Sequence, residues 1–411
     1  MVLVSKLQAV ARHAAKYAQE RDDVVQAILL GLLTKNHVFL YGEPGTAKSF
    51  AARLIGDAIS GAHVFRKQLT RQMTEEAVFG PLDIPRWRKL GEYVYRTEGG
   101  LAEAEIAILE EYFDASDALI RSMNELLNER EFTRSLGHIK KCPLHTAIAT
   151  SNFWRSDEDA QAVADRFLIR VNVSALTDKT SRVQMVRDYL EHHGAPQGPH
   201  IDFALVKKLC STTRKITVPD EVLDLYEGTV QEFRSMLKKT TFVSDRRIAW
   251  SALLLRAAAL LDDRDAVLPE DISTARFGLA FMGRDDEEAQ FMAAYNKIVG
   301  IRAEAAKVSD ALDRLRVTMT GLQAEVGAVG AAGGNAKPRS SSLKLLKLAR
   351  RLAEFNDDYE QSITAATAKH GRGVFDTHMA DVQATLMTDG EDVKKTIMDR
   401  VDWSAIGGLG A

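Results

Sequence analysis

Cysteine is almost absent from this sequence. The two cysteines, Cys142 and Cys210, lie far apart and fit no zinc-ligand spacing. That excludes a disulfide-stapled secreted scaffold, and two reduced core thiols in a cytoplasmic protein are expected instead. Long hydrophobic runs are also missing: no apolar stretch approaches the ~18–20 residues a spanning helix requires. The N-terminal segment MVLVSKLQAVARHAAKY is amphipathic and lacks the apolar core and cleavage site of a signal peptide, so it reads as a first helix. Positive charge is not in excess. A net charge of −3 gives no support for a general nucleic-acid binder, although a local basic loop remains compatible with it. What is present is an ordinary globular composition, 45% hydrophobic and 27% charged over 411 residues, enough for two or three domains.

The stretch around which the chain is organised is HVFLYGEPGTAKS, His37 to Ser49. Val38 to Leu40 reads as a buried strand and a helical pattern begins at Phe50. Between them lie Gly42, Glu43, Pro44, Gly45, Thr46, Ala47, Lys48 and Ser49. Strand, glycine loop, Lys-Ser and helix is the context of a phosphate-binding loop. The glycines let several N–H groups converge on an anion, and the helix start adds roughly half a positive charge. Lys48 reaches the β- and γ-phosphates of a nucleotide, and the Ser49 hydroxyl suits Mg²⁺. The nucleotide-contacting set is therefore Gly42 to Phe50. Ala47 stands where a glycine is usual, so φ < 0 is expected there, because a Cβ disfavours the left-handed region.

Upstream, residues 5–34 read as two helices. Tyr17 and Arg21 are expected on a helix surface, the other reading being the border of an adenine pocket. Downstream, Ala62 to Leu69 reads as a second strand. A short helix capped at Thr74 is broken by Gly80-Pro81, and Tyr93-Val94-Tyr95 alternates like an edge strand or hairpin arm. Ala104 to Leu109 is an apolar strand ending in Glu110-Glu111. The first acid suits the Mg²⁺ shell and the second a general base acting on water. The first is usually aspartate, so Glu110 is a departure. Residues 114–129 form a helix, and Glu131 to Lys141 a hairpin with a Leu136-Gly137 tip. Leu144 to Ala149 is a strand leading to Asn152, whose amide can bond both γ-phosphate and water. Ala164-Asp165-Arg166-Phe167 precedes a further strand, Leu168 to Val173. Five or more strands interleaved with helices predict an αβα parallel sheet over 1–177, with its ligand at the C-terminal strand ends.

From 178 to 284 no further β-alternation appears and a compact all-α domain is expected. Helices start at Pro219-Asp220, at Ser244 as N-cap, and at Leu268-Pro269. His192-His193 reads as solvent-facing and Trp154 as a packing residue. Residues 285–411 carry a heptad row (Phe291, Ile298, Ala305, Leu312, Met319) with partners Ile301, Val308, Leu315 and Leu322. As one helix it would run about 55–60 Å. Apolar rows recur in Leu345, Leu348, Leu352, Phe355 and Tyr359, and again in Phe375, Met379, Val382, Leu386, Val393 and Ile397. A three-helix bundle is favoured over an intermolecular coiled coil, with 327–342 as a flexible linker.

The chain resembles the MoxR group of AAA+ ATPases, nearest its RavA-type (regulatory ATPase variant A) branch. The resemblance is carried by GEPGTAKS (42–49), TEEAVFGPLDI (74–84), AEIAILEE (104–111), LLNEREF (126–132), ATSN (149–152), ADRFLIRV (164–171) and VSDRR (243–247). It implies ATP or ADP with Mg²⁺ as cofactors, and an AAA+ core with a helix-2 insert near 74–98 and a pre-sensor-1 hairpin near 131–141. It also implies an α-helical lid at 178–284. Lys48 and Ser49 would serve phosphate and metal, Glu110 the metal shell and Glu111 the general base. Asn152 would be sensor 1 and Arg166 an arginine finger acting on the neighbouring subunit. Arg246 would be sensor 2, with Arg247 its competitor. The family implies a hexameric, chaperone-like remodelling ring working with a von Willebrand A domain protein, on a client the sequence does not name. Two departures stand out: Glu110, and the Gly/Ala linker where the RavA type carries a β-domain. The alternatives are a nucleotide-gated scaffold with weak hydrolysis, motivated by Glu110, and an ATPase subunit of a chelatase.

Overall fold

The computed structural model describes residues 2–92, 94–135, 138–154, 166–192, 197–237, 243–280, 286–300, 315–328, 344–356 and 377–400. They fall into two compact units, 1–295 and 296–411.

The first unit is built on five strands, the central ones being largely apolar and buried. The five are β1 (Val38–Tyr41), β2 (Val64–Gln68), β3 (Ile106–Glu110), β4 (Thr146–Ser151) and β5 (Ile169–Asn172). Apolar runs suit strands covered on both faces; Ile106 to Leu109 and all six residues of β4 are buried. The strands form one parallel sheet in the order β2-β3-β4-β1-β5. The chain leaves β1 for the far edge of the sheet, while β5 joins on its other side. The C-terminal end of β1 is therefore the topological switch point, where an open α/β sheet leaves a crevice for a ligand.

The covering helices include α1 (Val2–Tyr17), α2 (Asp22–Thr34), α3 (Lys48–Asp57) and α4 (Asp117–Glu129). The run Val24 to Leu33 in α2 is buried except for Gln26. Ser116 caps α4 by accepting from Leu119 N–H at 3.3 Å, which satisfies one orphan donor of the first turn. Trp154 packs on the core as expected, 5.6 Å from Phe39 ring to ring.

Two histidines are part of this core. His37 Nδ1 accepts from Ala147 N–H at 2.9 Å, which leaves Nε2–H to donate to the Leu127 carbonyl at 2.7 Å. His145 Nε2 bonds the Leu32 carbonyl. Burial pushes His37 down to about 3 and His145 down to about 4. Both are thus held neutral in the native state, while the unfolded chain takes up their protons below about pH 6.5. Stability therefore falls as pH drops through 6.5, with a slope of up to about 1.4 kcal/mol per pH unit for each residue, until the native values are reached. Urea midpoints at pH 7 and pH 5 measure this. The midpoint falls in the native protein and falls less in His37→Gln, whose amide can keep both bonds without titrating. Equal slopes would refute the account.

Sequence expectation and structure differ at several places. The insert contains a helix, Ile84–Leu90, capped by Asp83, that no periodicity had announced; of the expected Tyr93–Tyr95 arm, Tyr95 forms an isolated antiparallel bridge with Leu82 and Tyr93 lies outside the described residues. Beyond 178, where no β-structure was expected, Ile201–Asp202 pairs with Ile59–Ser60. The hairpin forms as Glu131–Ser135 and His138–Lys141, with its tip outside the described residues. Helices α5 (Lys179–His192), α6 (Phe203–Thr213), α7 (Asp220–Met236) and α8 (Asp245–Leu261) follow, and Ser244 caps α8 as expected. The start at Leu268-Pro269 opens a 3₁₀ turn, Pro269–Ala275, rather than an α-helix.

The heptad row departs from expectation at its front. Glu287–Tyr295 is followed by a π-turn, Asn296–Gly300, and the division between units falls here. Phe291 is fully buried against Phe233 of α7, 5.4 Å between rings, so the front of the row belongs to the first unit. Val299 is the buried residue of the π-turn, ahead of Ile298. The added residue of a π-turn shifts the side-chain face within Asn296–Gly300. Residues 301–314 and most of 327–342 lie outside the described residues, as do Tyr359 and Phe375. In the second unit, helices at 315–328, 344–356 and 377–400 share one core of Met319, Leu322, Val326, Leu345, Leu348, Leu352, Phe355, Leu386, Val393 and Ile397. This is the expected intramolecular packing of three apolar rows. Among the described residues no helix is long and apolar enough to cross a membrane.

Candidate nucleotide site

The loop between β1 and α3 lies at the switch point of the sheet. Gly42 has φ +149°, and a Cβ there would sit 2.1 Å from the Val173 carbonyl oxygen, so only glycine lets the strand leave alongside β5. Gly45 adopts φ +80°. Ala47 overturns the sequence expectation: it is left-handed, φ +64° and ψ +20°, at the N-cap of α3. The turn into the helix needs this geometry whatever the side chain, and alanine adopts it with the smallest Cβ available. The left-handed region costs an L-residue roughly 1–2 kcal/mol. Ala47→Gly relieves this strain against a larger entropy loss on folding. It should therefore raise stability by about 0.5–1 kcal/mol, read as a higher urea midpoint; an unchanged or lower midpoint would refute the strain.

Lys48 is 6% exposed and its ammonium sits inside the loop. It donates to the carbonyls of Gly42 and Glu43, each at 2.7 Å, and to Asn152 Oδ1 at 3.1 Å. Burial lowers its pKa, the Glu111 carboxylate opposes the shift and Arg21 adds to it. Asn152 turns its other end to Glu111, donating from Nδ2 to Oε1 at 2.7 Å. Lys48, Asn152 and Glu111 thus form one continuous chain from loop to strand end. Glu111 is left-handed, φ +54°, and its second oxygen is buried without a hydrogen-bond partner among the described residues. Burial raises its pKa and the Asn152 bond partly restrains it. A carboxylate with raised basicity and an open lone pair is equipped to take a proton from water.

Ser49 Oγ lies 3.5 Å from Thr150 Oγ1. Glu110 closes β3, and its Oε1 lies 3.9 Å from Arg53 Nη1, a neighbour the sequence reading did not include. The Ser49 and Glu110 side chains offer oxygen donors alone, which suits a hard cation such as Mg²⁺. Among the described residues no group of three or more His, Cys, Asp or Glu could hold a metal. Such a site fits an ion that takes most of its ligands from phosphate and water.

Beside the loop opens a cavity of about 530 Å³, lined by Glu43, Pro44, Gly45, Thr46, Ala47 and Phe50 from the loop and α3. Its other wall carries Tyr17 at the end of α1, Arg21 in the turn before α2, and Leu176, Met185 and Tyr189 from α5 and its approach. The expectation of Tyr17 and Arg21 as plain helix-surface residues is therefore overturned. They face this cavity, and Arg21 is 6% exposed. An apolar cleft of this size with a few convergent polar groups suits a small ligand.

The two remaining candidate arginines lie elsewhere. Half-buried Arg166 immediately precedes fully buried Phe167, and its charge acts on the buried Tyr112 phenol, whose pKa burial raises. Arg246 is exposed on α8 with its guanidinium 5.6 Å from the Trp250 ring centroid. Its competitor Arg247 is buried and donates to the Leu168 carbonyl at 2.8 Å, which commits it to a structural bond. Neither Arg246 nor Arg247 lines the cavity.

Comparison with known proteins agrees with this geometry. Residues 5–210, half of the chain, match the family model of the MoxR domain in the MoxR-vWA-beta-propeller ternary systems, and residues 226–287 match an AAA lid domain. An uncharacterised protein of Methanocaldococcus jannaschii is 27% identical over 275 residues, covering 67% of this chain and 70% of its own. The chaperone MoxR1 of Mycobacterium tuberculosis is 27% identical over 156 residues, covering 37% of this chain and 40% of its own. A solved structure of a candidate ATPase from Cytophaga hutchinsonii shares the fold with a TM-score of 0.53 at 18% identity, covering 68% of this chain and 87% of that one. With a phosphate loop at the switch point, a strand ending in two carboxylates and an AAA lid behind them, the chain belongs to the MoxR family of AAA+ ATPases.

Proposed function

We propose that this protein hydrolyses ATP with Mg²⁺ as a hexameric ring and uses the cycle to remodel or activate a protein partner. The observation that carries the reading is the Lys48–Asn152–Glu111 chain. It sets a phosphate-binding cation, a polar relay and a half-buried base in one hydrogen-bonded line. Lys48 and the loop amides hold the β- and γ-phosphates. Asn152 orients the attacking water between γ-phosphate and Glu111, and Glu111 accepts its proton. Ser49 and Glu110 would hold Mg²⁺, which when bound neutralises charge on the phosphates. Arg166 is assigned the role of a finger offered to a neighbour's nucleotide on the strength of the ADRFLIRV motif that carries the family resemblance. Arg246, exposed at the start of α8, is the better sensor 2 candidate, because Arg247 is already bonded within the core.

The family description supports a von Willebrand A domain protein as partner, with a β-propeller protein in the same system. The finer placement in the RavA-type branch rests on the motif run alone. Two buried free thiols fit a reducing cytoplasm. The scaffold alternative draws on one observation: Arg53 stands beside Glu110 and competes for the carboxylate a metal would use. In that case Glu110→Asp raises turnover.

The test is mass and ATPase rate measured together across a protein concentration series, with ATP·Mg²⁺, with ADP and without nucleotide. A nucleotide-promoted ring whose specific activity rises with concentration is expected. A monomer that binds ATP at every concentration without turnover would overturn the motor reading in favour of the scaffold.

A further inference from the structure

The turn between α1 and α2 carries two consecutive charged residues that grip different parts of the site. The buried guanidinium of Arg21 reaches three main-chain carbonyls. Nε donates to Thr46 at 2.9 Å, Nη2 to Ser174 at 2.7 Å and Nη1 to Glu20 at 2.7 Å. Thr46 belongs to the phosphate loop and Ser174 lies just beyond β5, so one side chain staples the loop to the adjoining strand exit.

The carbonyl that Arg21 takes is informative. In a planar trans peptide the C=O and the following N–H point in opposite directions. Holding the Thr46 carbonyl toward Arg21 leaves the Ala47 N–H on the opposite side of the loop, available to an anion. The same peptide runs into Ala47, the residue at φ +64°. Glycine would hold that conformation unaided, whereas alanine prefers to leave it. The loop therefore has an external clamp at the position where its own sequence is least suited to the conformation.

Glu20 extends the grip. Itself left-handed at φ +53°, it accepts from Thr177 N–H at 2.9 Å, Thr177 Oγ1 at 3.1 Å and Asp178 N–H at 2.9 Å. These two residues lead directly into α5, where Asp178 accepts from Ser181 N–H at 2.8 Å. From α5, Met185 and Tyr189 form a wall of the cavity. One dipeptide thus bonds both the loop under the phosphates and the base of the helix that walls the cleft.

We propose that Glu20-Arg21 is a coupling clasp: Arg21 is a positioning residue that holds the Thr46–Ala47 peptide ready for phosphate, and Glu20 ties that loop to the α5 wall. The proposal rests on the reading of 42–49 as a nucleotide site. It makes two demands that a merely structural arginine would not. The need for Arg21 must depend on the residue at 47, and loss of the Glu20 bonds must act on retention of nucleotide more than on its capture.

The experiment is binding of a fluorescent N-methylanthraniloyl-ADP to the full chain, with association and dissociation rates. The variants are Arg21→Gln, Ala47→Gly, their combination, and Glu20→Gln, each checked for native circular dichroism. Arg21→Gln weakens binding about 10–100-fold, as expected for loss of a charged hydrogen-bonded group. In the Ala47→Gly background the same change costs less than a third as much, because glycine keeps the left-handed conformation without the clamp. Glu20→Gln speeds dissociation about three- to tenfold and leaves association unchanged. Where Arg21→Gln does not fold, Arg21→Lys replaces it, keeping the charge but losing the three-way donor set. Equal penalties in both backgrounds, or an unchanged dissociation rate in Glu20→Gln, overturn the clasp while the nucleotide site stands. Failure of the native chain to bind the probe overturns the nucleotide reading and the clasp with it.

Discussion

Glu111→Gln lowers kcat for ATP hydrolysis by about 10²–10⁴-fold, the range general-base catalysis contributes, while ATP affinity changes by less than about threefold. Glutamine keeps the carbonyl that accepts from Asn152 Nδ2, so the chain to Lys48 survives and only the proton acceptor is lost. A pH profile gives the same residue a second signature. Burial raises the Glu111 pKa, and the working form is the carboxylate. The acid limb of kcat in the native enzyme therefore lies above the ordinary glutamate value, with activity lost as pH falls through it, and the limb disappears in the variant. Undiminished turnover in Glu111→Gln would remove Glu111 from the chemistry.

Arg166→Ala lowers turnover by about 10³–10⁵-fold, the contribution of an arginine finger supplied in trans. Nucleotide binding is retained, because Arg166 lies outside the Lys48–Asn152–Glu111 chain. Lys48→Ala is equally inactive for a different reason: it loses the cation inside the loop. Mixing the two inactive proteins separates their roles. In a mixed ring, an intact loop from an Arg166→Ala subunit can face an intact Arg166 from a Lys48→Ala subunit, so part of the activity returns. No recovery at any ratio, in a sample whose mass shows mixed rings, would place Arg166 in its own subunit's site or outside catalysis.

What was legible in the sequence was local. The phosphate loop is a run of eight residues whose chemistry is set by spacing, and it occupies the strand-to-helix turn expected of it. The apolar run ending in Glu110-Glu111 is a strand, because a parallel strand covered on both faces must be continuously hydrophobic. Ser244 caps its helix, because an N-cap needs only a short polar side chain and the next turn. The apolar rows of the C-terminal helices meet in one core, because side-chain periodicity determines which helix face seeks burial.

What only the tertiary structure decided were contacts between distant segments and conformations imposed by them. Ala47 is left-handed although its type disfavours it, since the turn from β1 to α3 and the staple from Arg21 constrain the peptide. Arg21 reads as a surface residue by helical spacing alone. Its partners stand 25 and 153 residues away, and those of Glu20 are 157 and 158 away, beyond the reach of any periodic pattern. The heptad from Phe291 reads as one seam, yet Phe291 found its partner in Phe233, and a π-turn follows at Asn296–Gly300. Sequence alone determined which residues are candidates for phosphate, base and relay chemistry, because such candidates are set by side-chain type within a short turn. The strand order determined that they meet, because burying apolar strands between helix layers brings the ends of β1, β3 and β4 to one crevice.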